Sequence, residues 1–171
     1  MKNYVPKENV SVQQVEKEKA DTGDENEISK NNNEVTNVKQ EVDDYLGVIE
    51  IPKISLKRYL YKTTSVKNDV DKNIEVLKSS EMPDVDSGNL ILAAHNGNSS
   101  VGHFRNLHKL ALGDEVIINY NNVDYTYKIS KIYDVLKTGQ VAIKRDKTQN
   151  TLTLITCLGS DRQLVVIGYL K

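Results

Sequence analysis

The stretch Thr151-Leu152-Thr153-Leu154-Ile155-Thr156-Cys157 ends in the only cysteine of this 171-residue chain. Apolar and β-branched residues dominate the run, which predicts a buried β-strand that places one thiol at its carboxyl end. A cysteine thiol has an ordinary pKa of about 8.5, and the thiolate is its nucleophilic form. A single cysteine forms no internal disulfide, so this thiol is a candidate reactive group.

Two cationic side chains accompany this strand. Arg162 lies five residues after Cys157 and opens the apolar run at residues 164–167. His95 closes a second strand-like run, Asn89-Leu90-Ile91-Leu92-Ala93-Ala94-His95. Taken alone, such a cysteine packs as a small hydrophobic residue, such a histidine is structural, and such an arginine is ion-paired. Packing needs do not explain all three together, so the set predicts nucleophilic catalysis by a cysteine with histidine and arginine partners.

Two segments of the chain resemble the signature motifs of the sortase family. Residues 153–157, Thr-Leu-Ile-Thr-Cys, are similar to the family's Thr-Leu-x-Thr-Cys motif. Residues 92–95, Leu-Ala-Ala-His, are similar to the segment that carries the family's histidine. The resemblance covers about residues 45–171 in the family's order. It includes the entry into the first two strands at residues 47–54, then His103-Phe104-Arg105-Asn106-Leu107 and Leu112-Gly113-Asp114-Glu115-Val116.

This resemblance implies an eight-stranded sortase-type β-barrel with two or three short helices and a cysteine transpeptidase activity. Cys157 would attack a peptide carbonyl, His95 would protonate the departing amine, and Arg162 would bind the oxyanion or the substrate backbone. Leu154 and Thr156 match the leucine and the second threonine of the motif. They are expected either to line the substrate groove or to pack in the strand core. No cofactor and no metal is expected.

The resemblance also implies the partners. The donor is expected to be a surface protein with a Leu-Pro-x-Thr-Gly-like C-terminal sorting signal, cleaved between Thr and Gly. The acceptor is expected to be an amine of a cell-wall precursor or a pilin lysine. These substrates imply an enzyme at the extracytoplasmic surface of a Gram-positive bacterium, normally anchored in the membrane. The short interval between Val135 and Thr151 lacks a long helical insertion, which favours a class A-like or class D-like sortase over class B.

The charge distribution divides the chain in two. Residues 1–44 carry six Lys and eleven Asp or Glu and no sustained apolar periodicity, which predicts a disordered acidic linker. Residues 45–171 carry seventeen Lys or Arg and thirteen Asp or Glu, and their number suits one catalytic domain with a single core. The linker contains neither the roughly 18 apolar residues of a spanning helix nor a signal-peptide core. We therefore expect a soluble chain that lacks the family's usual membrane anchor. A truncation or a start downstream of the anchor would explain this.

The hydrophobic pattern of residues 45–171 predicts a mainly β domain. About eight strands are expected, among them residues 46–51, 54–61, 89–95, 115–120, 123–135, 151–157 and 163–170. Asn121-Asn122 joins two of these strands and predicts a hairpin turn. Short helices are expected at residues 66–77 and within residues 97–110, where apolar residues recur at helical spacing.

Other chemistries fit the sequence less well. The three histidines lack a second cysteine or an established zinc-ligand spacing. Glu81, Asp84 and Asp86 could bind calcium, but they lack EF-hand spacing and a solvated turn explains them. No glycine-rich phosphate loop follows a strand, and the positive charge is not gathered in one run, so no nucleic-acid partner is expected. Two alternatives stay open: a cysteine peptidase that uses water as acceptor, and a β-barrel binding module in which Cys157 is inert.

Overall fold

The computed structural model describes residues 44–171, which form eight strands and two short 3₁₀-helical turns. The strands are β1 (Tyr45–Ile51), β2 (Leu56–Tyr61), β3 (Glu75–Val76), β4 (Asn89–Ala93), β5 (Glu115–Tyr120), β6 (Val123–Leu136), β7 (Thr151–Leu158) and β8 (Arg162–Leu170). The 3₁₀-helical turns span Pro52–Ile54 and Leu107–Lys109. The expected mainly β domain with eight strands and few helices is confirmed. The predicted linker, apart from its last residue, lies outside the described residues and stays a prediction.

The eight strands form one sheet that nearly closes on itself. The strand order is β2-β1-β5-β6-β8-β7-β4-β3. Neighbouring strands are antiparallel except β4 and β7, which run parallel. The outermost strands, β2 and β3, contact each other, and the Asn73 carboxamide donates a hydrogen bond of 3.1 Å to the Tyr59 carbonyl of β2. The sheet is therefore a nearly closed barrel.

The centre of the barrel is filled by alternate residues of the long strands. In β7, Leu154 lies in the core, and the register sets it opposite Leu92 of β4 and Val166 of β8. The residues between these positions are buried on the opposite face of the same strands, namely Ile91, Ile155, Val165 and Ile167. Because both faces are covered, β4 and β8 carry continuous apolar runs, and the threonines of β7 are buried between its leucines.

The hairpin between β5 and β6 forms where the sequence predicts it. Asn121 and Asn122 both adopt left-handed backbone conformations, with φ of 51° and 61°. Asparagine tolerates this conformation better than most residues, and two such residues match the right-handed twist of the flanking strands. The turn sets the register in which Tyr120 pairs with Val123.

Residues 66–77 form turns and strand β3 instead of the expected helix. The reason lies in Asn68, whose carboxamide accepts a hydrogen bond of 2.7 Å from the Val76 amide and donates one of 2.9 Å to the Val76 carbonyl. Its side chain thus pairs with β3 as a neighbouring strand would. Side-chain bonds of this kind compete with helix formation, and hydrophobic spacing does not reveal them.

Residues 97–110 also lack the expected helix, apart from the 3₁₀-helical turn Leu107–Lys109. The chain folds back on itself here, because Gly97 has φ of 143° and a Cβ at Gly102 would lie 2.1 Å from the Gly97 carbonyl oxygen. Phe104 and Leu110 are still buried. Their spacing therefore reflects successive turns that bury the same side of the chain. Within residues 44–171, no helix has the length and apolar character needed to span a membrane.

Replacing Gly47 by Ala should destabilise the barrel. An added Cβ would lie 2.2 Å from the Asn119 carbonyl oxygen on β5, so the two strands would have to move apart. Overpacking of this kind costs about 1–3 kcal/mol of unfolding free energy. Urea denaturation measures the loss, with exposed Ser79→Ala as a control expected to change stability by less than about 0.5 kcal/mol. Equal stability of Gly47→Ala and wild type would contradict the close approach of β1 and β5.

Candidate active site

The parallel pairing of β4 and β7 brings two predicted site residues together. The register runs from Asn89 opposite Thr151 to Ala93 opposite Ile155. Continued two residues past Ala93, this register would set His95 opposite Cys157 on the same face, with backbones about 4.8 Å apart. The sequence predicted each residue at a strand end, and the topology makes these ends neighbours.

Hydrogen bonds continue this pairing past the end of β4. The Ala94 amide donates to the Ile155 carbonyl at 3.3 Å, and the Thr156 hydroxyl donates to the Ala94 carbonyl at 2.8 Å. The Asn96 carboxamide donates to the Cys157 carbonyl at 2.9 Å. The histidine between Ala94 and Asn96 is therefore held beside the cysteine strand, although its own residue lies outside β4.

His95 has an acidic partner that the sequence analysis missed. Its Nε2 lies 2.8 Å from Oδ1 of Asp71, and both side chains are accessible, at 40% and 78% of their full exposure. Asp71 belongs to a turn in which its own amide donates to the Asp69 carboxylate at 2.9 Å. A carboxylate at this distance orients the ring and offers a counter-charge to the imidazolium. The Asp-x-Asp pattern at residues 69–71 is a signal for this turn in the sequence, whereas the apolar spacing of the segment predicts a helix.

Cys157 is partly exposed, and its thiol contacts a lysine. The Lys137 Nζ atom lies 3.8 Å from Sγ. The Lys137 amide donates to the Asp161 carbonyl at 2.7 Å, which joins the end of β6 to the turn between β7 and β8. Nothing in the sequence pattern singled out this lysine among its neighbours, because the contact depends on the pairing of β6, β8 and β7.

Arg162 lies on the adjacent strand but faces the other way. In the β7–β8 register, Cys157 is opposite Gln163, whereas Arg162 is opposite Leu158. Paired residues share a face and successive residues alternate, so Arg162 and Cys157 belong to opposite faces. The Arg162 Nε atom forms an ion pair with the Asp134 carboxylate on β6. Arg162 therefore lies on the opposite face from Cys157, with Asp134 as its partner.

Leu154 and Thr156 lie within the strand core. Their exposed fractions are 1% and 3%, and both belong to the face of β7 that is directed into the barrel. Thr156 contributes the hydrogen bond to Ala94 described above. The opposite face of the strand carries Ile155, which is buried, and Cys157, which is partly exposed.

The other two histidines have separate environments. His103 is partly buried, its Nε2 atom has no hydrogen-bond partner, and burial followed by the charge of Arg58 lowers its pKa below the usual 6.5. His108 is exposed in a 3₁₀-helical turn. Among the residues that the structure describes, no group of three or more His, Cys, Asp or Glu side chains is placed to hold a metal ion. The zinc and calcium alternatives thus gain no support from residues 44–171.

A thiol, an imidazole with a carboxylate partner and a nearby ammonium form a set suited to nucleophilic acyl transfer. The thiol supplies the nucleophile and the imidazole exchanges protons with it and with the leaving group. The Asp71 carboxylate orients the base, as sets of nucleophile, base and orienting group require.

Comparisons with known proteins give a match to one family. A family model for the sortase domain matches residues 49–171. Sortase A of Bacillus anthracis is 28% identical over 138 residues, which cover 79% of this chain and 64% of that protein. Sortase D of Bacillus subtilis is 29% identical over 113 residues, which cover 65% of this chain and 53% of that protein. The chain therefore spans less than two thirds of the length of these curated relatives.

Solved structures show the same architecture. Sortase C from Clostridium perfringens SM101 is 30% identical, with a TM-score of 0.62 over 75% of this chain and 70% of that one. Sortase C1 from Streptococcus agalactiae is 34% identical, with a TM-score of 0.63 over 73% of this chain and 66% of that one.

Replacing Thr156 by Val tests the bond that holds the His95 segment against β7. Valine keeps the shape of the side chain but leaves the buried Ala94 carbonyl without its hydroxyl donor. The unfolding free energy should fall by about 1–3 kcal/mol, as measured by urea denaturation. Thr156→Ser keeps a hydroxyl and serves as the matched control, with a smaller loss. A valine variant as stable as the serine variant would show that this bond contributes little.

Proposed function

This chain belongs to the sortase family, and on that premise we propose that it is a cysteine transpeptidase. The observation that supports the proposal is the β4–β7 pairing, which the hydrogen bonds of Thr156 and Asn96 continue on either side of His95 along the strand that carries Cys157. That arrangement supports a nucleophile and a proton carrier acting on the same peptide bond.

The first half-reaction cleaves the donor peptide. The Cys157 thiolate adds to the carbonyl carbon of the scissile bond and forms a tetrahedral oxyanion. The His95 imidazolium then donates its proton to the nitrogen as the C–N bond breaks, so the amine leaves neutral and a thioester remains. Asp71 orients the ring through its 2.8 Å contact with Nε2.

The second half-reaction transfers the acyl group. An amine adds to the thioester carbonyl, His95 takes the proton that the amine loses, and the C–S bond breaks to return the thiolate. The imidazolium and the thiolate are then ready for another donor. Water in place of the amine gives hydrolysis by the same steps.

Arg162 is proposed to bind the substrate. Its guanidinium can donate two parallel hydrogen bonds to a carbonyl or to the developing oxyanion. To do so it must leave the Asp134 carboxylate, with which it forms an ion pair, and move from the opposite face of β8 toward the face that carries Cys157. Both are partly exposed, at 41%, so water can replace the contact as the arginine turns.

Leu154 and Thr156 are proposed to shape the substrate groove from behind. Each packs on the core side of β7 and fixes the strand whose other face carries Cys157. Their effect on peptide binding would therefore come through the position of the strand rather than through direct contact.

The proposed donor is a surface protein with a Leu-Pro-x-Thr-Gly-like sorting signal, and the proposed acceptor is an amine of a cell-wall precursor or a pilin. Family membership supports both classes of partner and a site of action at the cell surface. The class A-like or class D-like assignment stays a prediction, because the similar proteins include a sortase A, a sortase D and sortases C.

Mass spectrometry of the protein with a Leu-Pro-x-Thr-Gly peptide, with and without an added amine, tests the reaction. A transpeptidase yields an amine-joined product and an acyl-enzyme on Cys157. A hydrolase yields only the free acid, and a binding module yields neither. Cys157→Ala should abolish both products while circular dichroism shows an unchanged fold, since alanine fits a small strand-end position. Turnover by the alanine variant would refute the assignment of the nucleophile.

His95→Ala should lower kcat/KM for peptide cleavage by at least about 10²-fold, the usual cost of removing a positioned acid or base. His108→Ala is the matched control, because that side chain is exposed in a 3₁₀-helical turn. It should retain near wild-type activity. A larger loss in the His108 variant would mean that the proton carrier has been assigned to the wrong histidine.

Arg162→Lys distinguishes a hydrogen-bonding role from a purely electrostatic one. Lysine keeps the positive charge but loses the planar pair of donors, so a role in binding carbonyl or oxyanion predicts a sharp fall in kcat/KM, close to that of Arg162→Ala. Rescue by lysine would instead indicate that only the charge matters. Near wild-type kinetics in both variants would remove Arg162 from the site.

A further inference from the structure

The positive charge in contact with the thiol belongs to Lys137. Its Nζ atom lies 3.8 Å from the Cys157 Sγ atom. The registers explain the contact: Val135 is opposite Gln163, and Gln163 is opposite Cys157, so these three share a face. Lys137 lies two residues beyond Val135, just past the end of β6, and its ammonium reaches the thiol there.

The backbone of Lys137 is fixed to the cysteine hairpin. Its amide donates to the Asp161 carbonyl in the β7–β8 turn at 2.7 Å, and the Thr138 amide closes a tight turn on the Leu136 carbonyl at 3.0 Å. The lysine therefore starts from an anchored position next to the end of β7. Within residues 44–171, its ammonium forms no ion pair with a carboxylate, so its charge is not neutralised there.

The other charged groups near the thiol have different partners. His95, from the end of β4, contacts Asp71. Arg162, from β8, is paired with Asp134 on the opposite face. A thiolate at Cys157 would thus find its nearest unneutralised positive charge on Lys137.

We propose that Lys137 is a catalytic residue that stabilises the Cys157 thiolate, which leaves Arg162 available for the substrate. The proposal rests on the proposed function. In the resting enzyme the thiol proton passes to His95, and the sulfur is left as an anion paired with the ammonium. Lys137 donates no proton in this step, so the electron pair on sulfur stays available for attack on the carbonyl.

Alkylation of the thiol tests this without any peptide substrate. The chain has one cysteine, so the rate of mass increase with iodoacetamide reports on Cys157 alone. At pH 7, Lys137→Gln should lower that rate by about threefold to tenfold, as expected for an accessible ion pair, and Lys137→Arg should keep it within about twofold. At pH 10, above the ordinary pKa of about 8.5 for a free cysteine thiol, the glutamine variant and wild type should react at more similar rates.

Lys147→Gln is the matched control, because it removes the same charge from an exposed position outside the site. Its alkylation rate should equal that of wild type. Equal rates for Lys137→Gln, Lys147→Gln and wild type at pH 7 would overturn the proposal. Circular dichroism gives the melting temperature of each variant. Alkylation is then measured below the lowest of these temperatures, so that only folded proteins are compared.

Peptide cleavage separates this proposal from the proposed function. If Lys137→Gln lowers both alkylation and kcat/KM, both proposals hold. If it lowers alkylation while the wild type neither cleaves nor transfers the peptide, the ion pair stands and the transpeptidase assignment fails. If the wild type transfers the peptide and the glutamine variant matches it in both measurements, the role of Lys137 fails alone.

Discussion

The site depends on the parallel contact between β4 and β7, the one parallel pair in the described sheet. Parallel strands end at the same edge, so two distant chain segments deliver their carboxyl ends side by side. The Thr156 hydroxyl and the Asn96 carboxamide extend the contact by bonds to the Ala94 and Cys157 carbonyls. If the pairing of β4 with β7 shifted by one residue, His95 would turn to the other face. Such a shift would also exchange the buried side chains of the two faces, so their packing opposes it.

The sequence revealed the parts of the site that lie on buried strands. The runs that end in His95 and Cys157 consist mainly of apolar and β-branched residues because each is covered on both faces, and a single sequence shows this pattern. Asp71 and Asn68 left no such trace, since their roles depend on where a turn lies against other elements. The apolar spacing of their segment therefore predicts a helix, which is wrong.

The face of Arg162 shows a second limit of sequence spacing. Five residues separate it from Cys157, but the short turn between β7 and β8 decides which residues lie opposite each other. That turn begins at Gly159, whose φ of 71° suits glycine. One residue more or fewer would exchange the faces of Arg162 and Gln163. The sequence can place a cation near the thiol, but the register decides where that cation points.

In the proposed mechanism, Lys137 at the end of β6 and Arg162 on β8 have different electrostatic roles. A cation placed to favour the thiolate should stay near sulfur, whereas one that binds an oxyanion should be able to move toward the substrate as charge develops there. Lys137 extends from backbone fixed to the hairpin turn, while Arg162 is held by an accessible and exchangeable carboxylate. In the proposed mechanism, the Asp134 carboxylate binds the Arg162 guanidinium between substrates. Because both side chains are partly exposed, releasing the guanidinium costs little free energy.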